Sequence, residues 1–375
     1  MSHKGLTWDH PRGRDALVAA ARAATENGLE LVWDTHPLEG FESTPIEQLA
    51  EEYDVIVLDH PHLGDALKHR CLRPLDELFD PDTVESWRRG ASGPSLASYE
   101  LDGHLWALPL DAATQVAATR LDLAGAAPTL WREVVELAAR APVALSLAGP
   151  HALLTFASVC VALGEEPGTR APGFVSEPTG RRALELMTAL AGRAPARSHT
   201  MNPIALLGTM TQDDTLAHCP LVYGYVNYAS PGLERRVTFT DAPRLTPDGR
   251  PGSTLGGTGL ALTRRCDPTP ELLAHLRELL SPQTQEEFIP VHAGQPAMAS
   301  AWRSEQVDRA AGGFYSGTRE TVSRAWVRPR HAGYIRFQTE GAQVVREVVL
   351  GRTSAASGLR RLDELFTTGK QEATR

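Results

Sequence analysis

Three aspartates, Asp9, Asp34 and Asp59, recur at a spacing of 25 residues, and a histidine follows each within two residues. In each case a short apolar run ends in the acid and the imidazole, and a proline follows. A strand, a helix and two short loops occupy about 25 residues in a βαβ unit. The spacing therefore predicts three parallel strands with acid–imidazole pairs at their carboxyl ends, where open α/β sheets bind ligands.

Three kinds of chemistry suit such a cluster. Carboxylates and imidazoles can hydrogen-bond a hydroxylated or amine-bearing ligand, and they are also ligands for Zn, Mn or Fe. No metal-binding motif of the H-E-x-x-H type is present to fix an ion, so we predict no metal and no cofactor. A histidine bonded to an aspartate can also move protons near neutral pH. The candidate acid–base residues are Asp9, His10, Asp59 and His60.

Each acid–imidazole pair also has a structural interpretation, because Asp and His before proline form turns and cap helices. Three pairs in register favour the ligand-binding interpretation, with Asp9 and His10 central. Arg12 is the one cation beside the set, and it could pair with Asp59 or clamp a ligand carboxylate. The ligand-binding prediction at the strand ends covers Trp8, Asp9, His10, Arg12, Asp34, His36, Asp59 and His60.

Further candidates lie outside the first hundred residues. Trp106 and Asp111 belong to a predicted long strand, and Tyr225 and Asn227 end a short apolar strand where amphipathic side chains contact ligands well. A glycine pair in a later strand indicates close approach of backbone to ligand, or hinge flexibility. The additional ligand-binding candidates are Trp106, Asp111, Tyr225, Asn227, Gly256 and Gly257.

The elements that position these residues follow from apolar periodicity and turn signals. We predict parallel strands at residues 6–8, 29–33 and 55–58, with the first strand between the other two because crossovers are right-handed. A helix at 15–27 ends at Gly28, and residues 44–47 predict a capping box. The remaining predictions are a hairpin turn at 102–103, crossing strands at 105–118 and 253–263, a short strand at 221–226, and helices at 131–139, 151–163 and 181–190.

Composition limits the class of protein. A chain of 375 residues, 42% hydrophobic and 22% charged, predicts a globular protein with two lobes. The net charge of −9 argues against a nucleic-acid partner, and no apolar run is long enough to span a membrane. The four cysteines are scattered without zinc-site spacing. Because no signal segment is recognisable, we expect a cytoplasmic location, or a periplasmic or extracellular one if a leader was removed.

Four segments, taken in order, match the pattern of one known family. Residues 102–110, DGHLWALPL, are similar to the family's "DGK-hydrophobic-YALP" crossing. Residues 255–262, LGGTGLAL, are similar to its "GG-x-G" return crossing. Gln295-Pro296-Ala297 resembles its "G-x-x-P" stretch, and residues 327–330 with Tyr334 resemble its "RP…Y" ending. The chain thus resembles the extracellular solute-binding proteins of ABC transporters, family 1, which are maltose-binding-protein-like.

The resemblance implies an α/β, two-lobe periplasmic-binding-protein type II fold with hinge strands and an interlobar cleft that closes on a ligand. It implies lobe one at residues 1–110 plus 258–312, and lobe two at residues 111–257 plus 313–375. A carbohydrate or polyol is the ligand such a family implies, and an ABC permease is the implied partner of an exported member.

Two functions of different classes follow. The first is capture of a small polar ligand, carbohydrate-like or a small ionisable metabolite, by two closing lobes. The second is a cytoplasmic enzyme on the same fold that uses the Asp/His residues as acid and base. A sensory module that reports ligand state to another protein is a third hypothesis. Whether the ligand is turned over remains open at this point.

Overall fold

The computed structural model describes residues 2–169 and 173–373. Strand and helix alternate through the first 70 residues, as the apolar periodicity predicts, and helices dominate the rest. The strands are β1 (Ser2–Trp8), β2 (Glu30–His36), β3 (Val55–Leu58), β4 (Glu100–Leu101), β5 (His104–Leu105), β6 (Leu108–Asp111), β7 (Gln115–Thr119), β8 (His218–Tyr223), β9 (Thr238–Thr240) and β10 (Thr258–Leu262).

The helices range from one turn to five turns. Short 3-10 turns at residues 25–27, 60–62, 75–77, 97–99, 196–200 and 226–229, and a π-helical turn at Thr284–Phe288, connect them. The α-helices are α1 (Pro11–Ala24), α2 (Leu38–Ser43), α3 (Ile46–Glu52), α4 (Leu63–Lys68), α5 (Pro81–Gly90), α6 (Leu121–Ala124), α7 (Trp131–Leu137), α8 (His151–Ala162), α9 (Glu177–Ala191), α10 (Pro203–Gln212), α11 (Pro270–Leu279), α12 (Ile289–Val291), α13 (Ala299–Arg303), α14 (Glu305–Ala310), α15 (Phe314–Ser323), α16 (Tyr334–Val349) and α17 (Ala355–Ala373).

Two compact units divide the chain. Unit 1 comprises residues 1–113, 256–307 and 330–332, and unit 2 comprises residues 114–255, 308–329 and 333–375. The structure thus places residues 111–113 and 256–257 in unit 1, and residues 308–312 in unit 2. Within the described part of the chain, no helix is both long enough and apolar enough to cross a membrane.

Unit 1 contains a five-stranded sheet in the order β2-β1-β3-β10-β6. The first three strands are parallel, and β10 runs antiparallel to both β3 and β6. The predicted position of the first strand between the second and third is therefore confirmed. All four residues of β3 are buried, as its uninterrupted apolar sequence requires for a strand covered on both faces.

The helix after β1 begins earlier than its apolar pattern predicts. Pro11 occupies its first turn, and the His10 side chain caps it by accepting a hydrogen bond from the backbone amide of Arg12. The chain leaves the helical region at Gly28, whose φ of 84° is the left-handed conformation that glycine adopts readily. The predicted stop at this glycine is confirmed.

Several predicted boundaries are wrong. The capping box at residues 44–47 does not form, because Pro45 is the cap residue of α3 and no side chain bonds the first turn. The single strand predicted at 105–118 is two strands, β6 and β7, which belong to different units. The strand predicted at 221–226 is β8, three residues earlier, because the chain turns into a 3-10 helix at Val226.

Unit 2 contains an antiparallel three-stranded sheet in the order β8-β7-β9, with β7 central. Every residue of α8 is buried, so its apolar sequence shows no single hydrophobic face. Hydroxyl groups hold this helix to neighbouring segments: the Ser158 Oγ donates to the Gln115 Oε1 (2.6 Å) and lies 2.9 Å from the Thr254 Oγ1. The Gln115 amide in turn donates to Thr155 (3.2 Å). These buried polar groups are therefore satisfied by one another.

A close backbone contact joins residues 330–332 to unit 1. A Cβ added to Gly64 would lie 2.2 Å from the carbonyl carbon of His331 and 2.5 Å from the backbone nitrogen of Ala332. Arg330, in the same segment, donates to the backbone carbonyls of Ala97 and Ser98 at 2.9 and 3.0 Å. Only glycine at position 64 allows this segment to pack so closely.

Gly64→Ala should destabilise the protein by about 1–3 kcal/mol, because backbone atoms of residues 331 and 332 must move to admit the methyl group. The matched control is Gly208→Ala in α10, where an added Cβ meets nothing within 4 Å. That change should instead stabilise by about 0.5–1 kcal/mol through helix propensity. Urea unfolding of the two variants measures the difference, and equal stabilisation of both would contradict the contact.

Candidate functional site

The carboxyl ends of β1, β2 and β3 lie at nearly the same height in the sheet, with β1 between the other two strands. Trp8 pairs with His36, and the backbone amide of Asp9 donates to the carbonyl of His36 (2.8 Å). Because Leu6 pairs with Ile56 in β3, Asp9 and Asp59 stand at the same height in the sheet. The strand ends therefore bring together the first and third predicted acids and the second predicted imidazole.

Asp34 does not lie at this edge, and the prediction that it does is wrong. It pairs with Leu6 inside β2, three residues before the level of Asp9, a distance of about 10 Å along the strand. Its carboxylate lies 3.9 Å from the Lys4 amine. Burial and the Asp34 carboxylate raise the pKa of the Tyr53 hydroxyl. Asp34 lies away from the strand ends because β2 extends two residues beyond it, to His36, before Pro37.

Asp9 turns toward solvent at the start of α1. Its carboxylate accepts a hydrogen bond from the Arg14 guanidinium at 2.5 Å, and its side chain is 56% exposed. Arg14 also donates to Asp15 (2.9 Å). The Asp9 charge is thus balanced locally by an exposed pair, which contributes little to stability.

His10 is buried, and it is neutral at physiological pH. Desolvation, followed by the positive charge of Arg12, lowers the pKa of its imidazole to about 4. Its Nδ1 accepts from the Arg12 amide (3.1 Å), so the neutral ring carries its proton on Nε2. A ring in this tautomer can donate one hydrogen bond to a ligand hydroxyl but supplies no positive charge.

Arg12 and Asp111 form a buried ion pair at the carboxyl ends of the unit 1 strands, a region that we call the unit 1 edge. The Arg12 Nε donates to the Asp111 Oδ2 at 2.6 Å, and the two side chains are 5% and 2% exposed. The guanidinium lies 5.8 Å over the Trp8 ring, and the Thr258 hydroxyl donates to the other Asp111 oxygen (3.3 Å). Sequence reasoning offered Asp59 or a ligand carboxylate as the partner of Arg12, but the partner is Asp111.

The glycine pair supports this arrangement through the backbone. The Gly256 amide donates to the carbonyl of Ala113 (2.8 Å). Gly257 has a φ of 86°, and a Cβ there would lie 2.5 Å from the carbonyl oxygen of Asp111. The absence of side chains thus lets the start of β10 approach the end of β6, where Asp111 is located.

Asp59 and His60 form a second group at the end of β3. The Asp59 carboxylate accepts from the His60 backbone amide (3.0 Å) and lies 3.3 Å from its Nδ1. The His60 ring is fully buried and meets the edge of Tyr99 at 6.3 Å. The Tyr99 hydroxyl donates to the carbonyl of Leu58, which fixes the ring beneath the strand end.

His36 occupies the end of β2. Its half-buried ring packs edge-on against Phe41 at 6.1 Å, and Phe41 also contacts Trp8 at 5.2 Å. Burial, followed by the charge of His62, lowers the pKa of its imidazole. Both imidazoles that flank Trp8, His10 and His36, are therefore uncharged near neutral pH.

Trp106 belongs to a hairpin rather than to a long crossing strand. Its indole nitrogen donates to the carbonyl of Leu101 (2.9 Å), and its ring meets His104 at 5.7 Å. The hairpin turn at Asp102 and Gly103 has φ values of 53° and 85°, the mirror-image turn that two-residue hairpins require. The structure thus gives Trp106 a packing role in the hairpin.

Unit 2 has its own group of aromatic side chains after β8. Tyr225 is 5% exposed and meets Tyr228 at 6.4 Å, with the half-buried Asn227 between them in sequence. Burial raises the pKa of the Tyr228 hydroxyl. Tyr223, at the end of β8, meets the His151 ring at 5.8 Å. This tyrosine group offers hydroxyl and ring contacts of the kind that bind polar ligands.

Sequence reasoning missed three residues that border these groups: Thr258, His151 and His331. Thr258 lies inside the glycine-rich motif, but only the strand register brings its hydroxyl to Asp111. His151 opens α8 directly after Gly149-Pro150, which is a helix-start signal that was available. His331 follows the Arg-Pro-Arg motif, and no spacing indicated its contact with Gly64.

The unit 1 edge offers hydrogen-bond donors and acceptors whose charges are mostly balanced. Arg12 is paired with Asp111, Asp9 with Arg14, and His10 is neutral. Within residues 2–169 and 173–373, no three His, Cys, Asp or Glu side chains are grouped to hold a metal ion. The arrangement suits recognition of hydroxyl groups better than capture of an anion.

Comparison with solved structures identifies the fold. An ABC transporter solute-binding protein from Agrobacterium radiobacter K84 in complex with ribitol is 20% identical, with a TM-score of 0.82 over 99% of this chain and 98% of that one. The chain has the fold of ABC-transporter solute-binding proteins. The predicted two-lobe fold is thereby confirmed.

Two further structures agree with this fold. Maltose-bound MalE3 from T. maritima is 16% identical, with a TM-score of 0.80 over 98% of this chain and 99% of that one. A solute-binding protein from Agrobacterium vitis S4 with bound D-mannitol is 17% identical, with a TM-score of 0.73 over 99% of both chains. No family model matches the sequence, and no curated protein matches it.

Removing one member of the buried ion pair should be costly. Asp111→Leu leaves the Arg12 guanidinium buried without its carboxylate, and we expect a loss of about 3–5 kcal/mol in the free energy of unfolding. The double variant Arg12→Met/Asp111→Leu should recover most of that loss. Arg14→Met is the control, because its exposed pair with Asp9 should be worth less than about 1 kcal/mol. Similar losses in Asp111→Leu and Arg14→Met would show that the ion pair is not buried in solution.

Acidification should destabilise the protein through His10. Its pKa is 6.5 in the unfolded chain and about 4 in the folded protein, so the unfolded state binds the proton more readily between these values. Stability should therefore fall as the pH drops from 6.5 to 4, by at most about 3 kcal/mol from this residue. His10→Asn keeps a capping side chain and should flatten that part of the stability profile. An unchanged slope would contradict the burial of a neutral imidazole.

Proposed function

We propose that the chain is a solute-binding protein that takes a small, uncharged, polyhydroxylated molecule, such as a polyol or sugar. The observation that carries this proposal is the buried ion pair between Arg12 and Asp111 at the unit 1 edge. The Asp111 carboxylate neutralises the charge of the buried guanidinium, so the pair attracts an anionic ligand only weakly. Hydroxyl groups, which donate and accept, suit the neutral imidazoles and carboxylates around it.

The comparisons support the same class of ligand. The structures of similar fold carry ribitol, maltose and D-mannitol, all of which are uncharged polyhydroxylated molecules. In unit 1 we propose His10, through its Nε2 hydrogen, and Asp59, through its carboxylate, as the side chains that hydrogen-bond the ligand hydroxyls. Trp8 and the Arg12–Asp111 pair position them.

In unit 2 we propose Tyr223 and Tyr225 of the tyrosine group, together with Asn227, as a second set of ligand contacts. Tyrosine combines an apolar ring, which packs on the C–H face of a polyol or sugar, with a hydroxyl that hydrogen-bonds it. Asn227 adds an amide with two donors and an acceptor. That one ligand touches both sets remains a prediction from the sequence.

An ABC permease is the partner that this function requires, and we propose it on the basis of fold similarity alone. The acid–base enzyme hypothesis gains no specific support, because the His10 Nδ1 accepts from the Arg12 amide to cap α1 and the Asp9 carboxylate accepts from Arg14. The Asp59–His60 pair is the remaining acid–base candidate, and its imidazole is fully buried.

Titration calorimetry with ribitol, D-mannitol and maltose tests this proposal. We expect at least one of them to bind, and Asp59→Asn and Tyr225→Leu each to weaken that binding about tenfold or more, because each removes a hydrogen bond to the ligand. Asp34→Asn is the matched control, since Asp34 lies about 10 Å back along β2 and should leave the affinity unchanged.

Two results would contradict the proposal. The first is no binding of any of the three ligands. The second is binding that Asp59→Asn and Asp34→Asn weaken equally, because the residues at the strand ends (the strand-end set: His10, Asp59 and their neighbours) would then have no special role. Proton NMR of the recovered ligand distinguishes capture from catalysis: an unchanged spectrum supports a binding protein, and a changed one supports the enzyme hypothesis.

A further inference from the structure

Unit 1 contains an open cavity of about 640 Å³ that is separate from the strand-end set. It lies between the second half of α1 and α11, with the π-helical turn at Thr284–Phe288 at one end. Small-molecule pockets typically enclose about 300–1,000 Å³. The volume is therefore that of a ligand site, and the proposed polyol-binding function makes no use of it.

Small side chains create this cavity, which we call the α1–α11 cavity. Ala20, Ala23 and Ala24 of α1 face Ala274 of α11, and each of these side chains stops at its Cβ atom. The two helices cannot fill the space between them, although they are neighbours. Leu29, Leu279 and Phe288 supply further apolar lining, so the cavity favours a ligand with an apolar body.

His275 lines the cavity and has one ring nitrogen that is shielded from solvent. His275 is 7% exposed, and its Nε2 makes no hydrogen bond within the described part of the chain. Burial lowers the pKa of this imidazole to about 4, so the ring is neutral near pH 7 and one of its nitrogens can accept a hydrogen bond. A buried polar atom without a partner is costly, and a ligand donor removes that cost only if the ring turns to bring Nε2, which is shielded from solvent, toward the cavity.

The charged groups of the lining are all acidic. Glu271 and Glu278 lie four residues before and three residues after His275, which places all three on the same face of α11. The Glu278 Oε1 accepts from the hydroxyls of Ser281 (3.1 Å) and Thr284 (2.9 Å), which orient the carboxylate.

No lysine or arginine is among the described residues that line the cavity. Arg277, on the same helix, lies instead over the Phe79 ring at 5.6 Å. A hydrogen bond from its own backbone amide, followed by one from the Thr269 hydroxyl, lowers the pKa of Glu271, so this carboxylate is ionised at neutral pH. The lining is therefore negatively charged.

We propose that the α1–α11 cavity binds a small amphipathic amine. An ammonium group has three donors and no acceptor, which matches a set composed of carboxylates and an imidazole acceptor. Glu278 would receive its hydrogen bonds, with His275 as a further acceptor once its ring turns toward the ligand, and the apolar body would lie over the alanines and Phe288. The negative charge of Glu271 would add a longer-range attraction at the rim.

Phenethylamine is a suitable probe for the full-length protein, with 2-phenylethanol as its uncharged counterpart and 3-phenylpropionate as its anionic one. Titration calorimetry and ligand-observed NMR should show binding in the order amine, alcohol, acid, with the amine at least about fivefold tighter than the alcohol. Glu278→Gln should weaken amine binding about fivefold while leaving the alcohol unchanged. Ala274→Leu should abolish binding of both, because the larger side chain fills the space.

Glu26→Gln is the matched control, since Glu26 is an exposed carboxylate of the turn after α1 that does not line the cavity. It should leave amine binding unchanged. The affinity of each variant for ribitol or another proposed ligand should also stay constant, which separates this site from the strand-end set. Equal affinity for the amine and the alcohol, amine binding that survives Ala274→Leu, or no detectable amine binding would each overturn the proposal.

Discussion

The buried ion pair between Arg12 and Asp111 is the constraint on which the unit 1 edge depends. Two charges removed from water are tolerated only if each satisfies the other at good geometry, and here a 2.6 Å hydrogen bond and the hydroxyl of Thr258 do so. The requirement fixes the first turn of α1 against the end of β6, which are 99 residues apart in sequence. It also influences the chemistry of the edge, because the buried guanidinium of Arg12 is already neutralised by a carboxylate.

The backbone around this pair is built to admit it. Gly257 has a left-handed φ and touches the carbonyl of Asp111, so no other residue fits there without strain. Gly13 brings α1 against the Trp8 ring, with an added Cβ only 2.4 Å from ring atoms. His10 caps the same helix and is held neutral by its burial and by Arg12. Helix capping, ring packing and charge neutralisation at this edge thus act through the same few residues.

Much of the fold follows from local sequence pattern, and much of the site does not. The 25-residue spacing, the apolar run of β3 and the turn at Gly28 predict the parallel strands and their order correctly. The predicted position of Asp34 was wrong because β2 continues through Asp34 to His36, and the apolar run before Asp34 gives no sign of that continuation. The partner of Arg12 was not predictable, because a contact between residues 12 and 111 arises only when β10 and β6 close the sheet. The break at residues 112–114 was missed for a related reason: the apolar sequence continues through it, and only the separate pairing of β6 and β7 divides the strand.

The central claim is that a neutralised guanidinium selects an uncharged ligand at the unit 1 edge. Calorimetric titration of the unaltered protein with ribitol and with ribonate, the matching sugar acid, tests it most directly at neutral pH. The account predicts that ribitol, or another uncharged polyol of similar size, binds while its acid binds at least about tenfold more weakly. An acid that binds more tightly than its polyol would contradict it, because Arg12 would then have to leave Asp111 for the ligand.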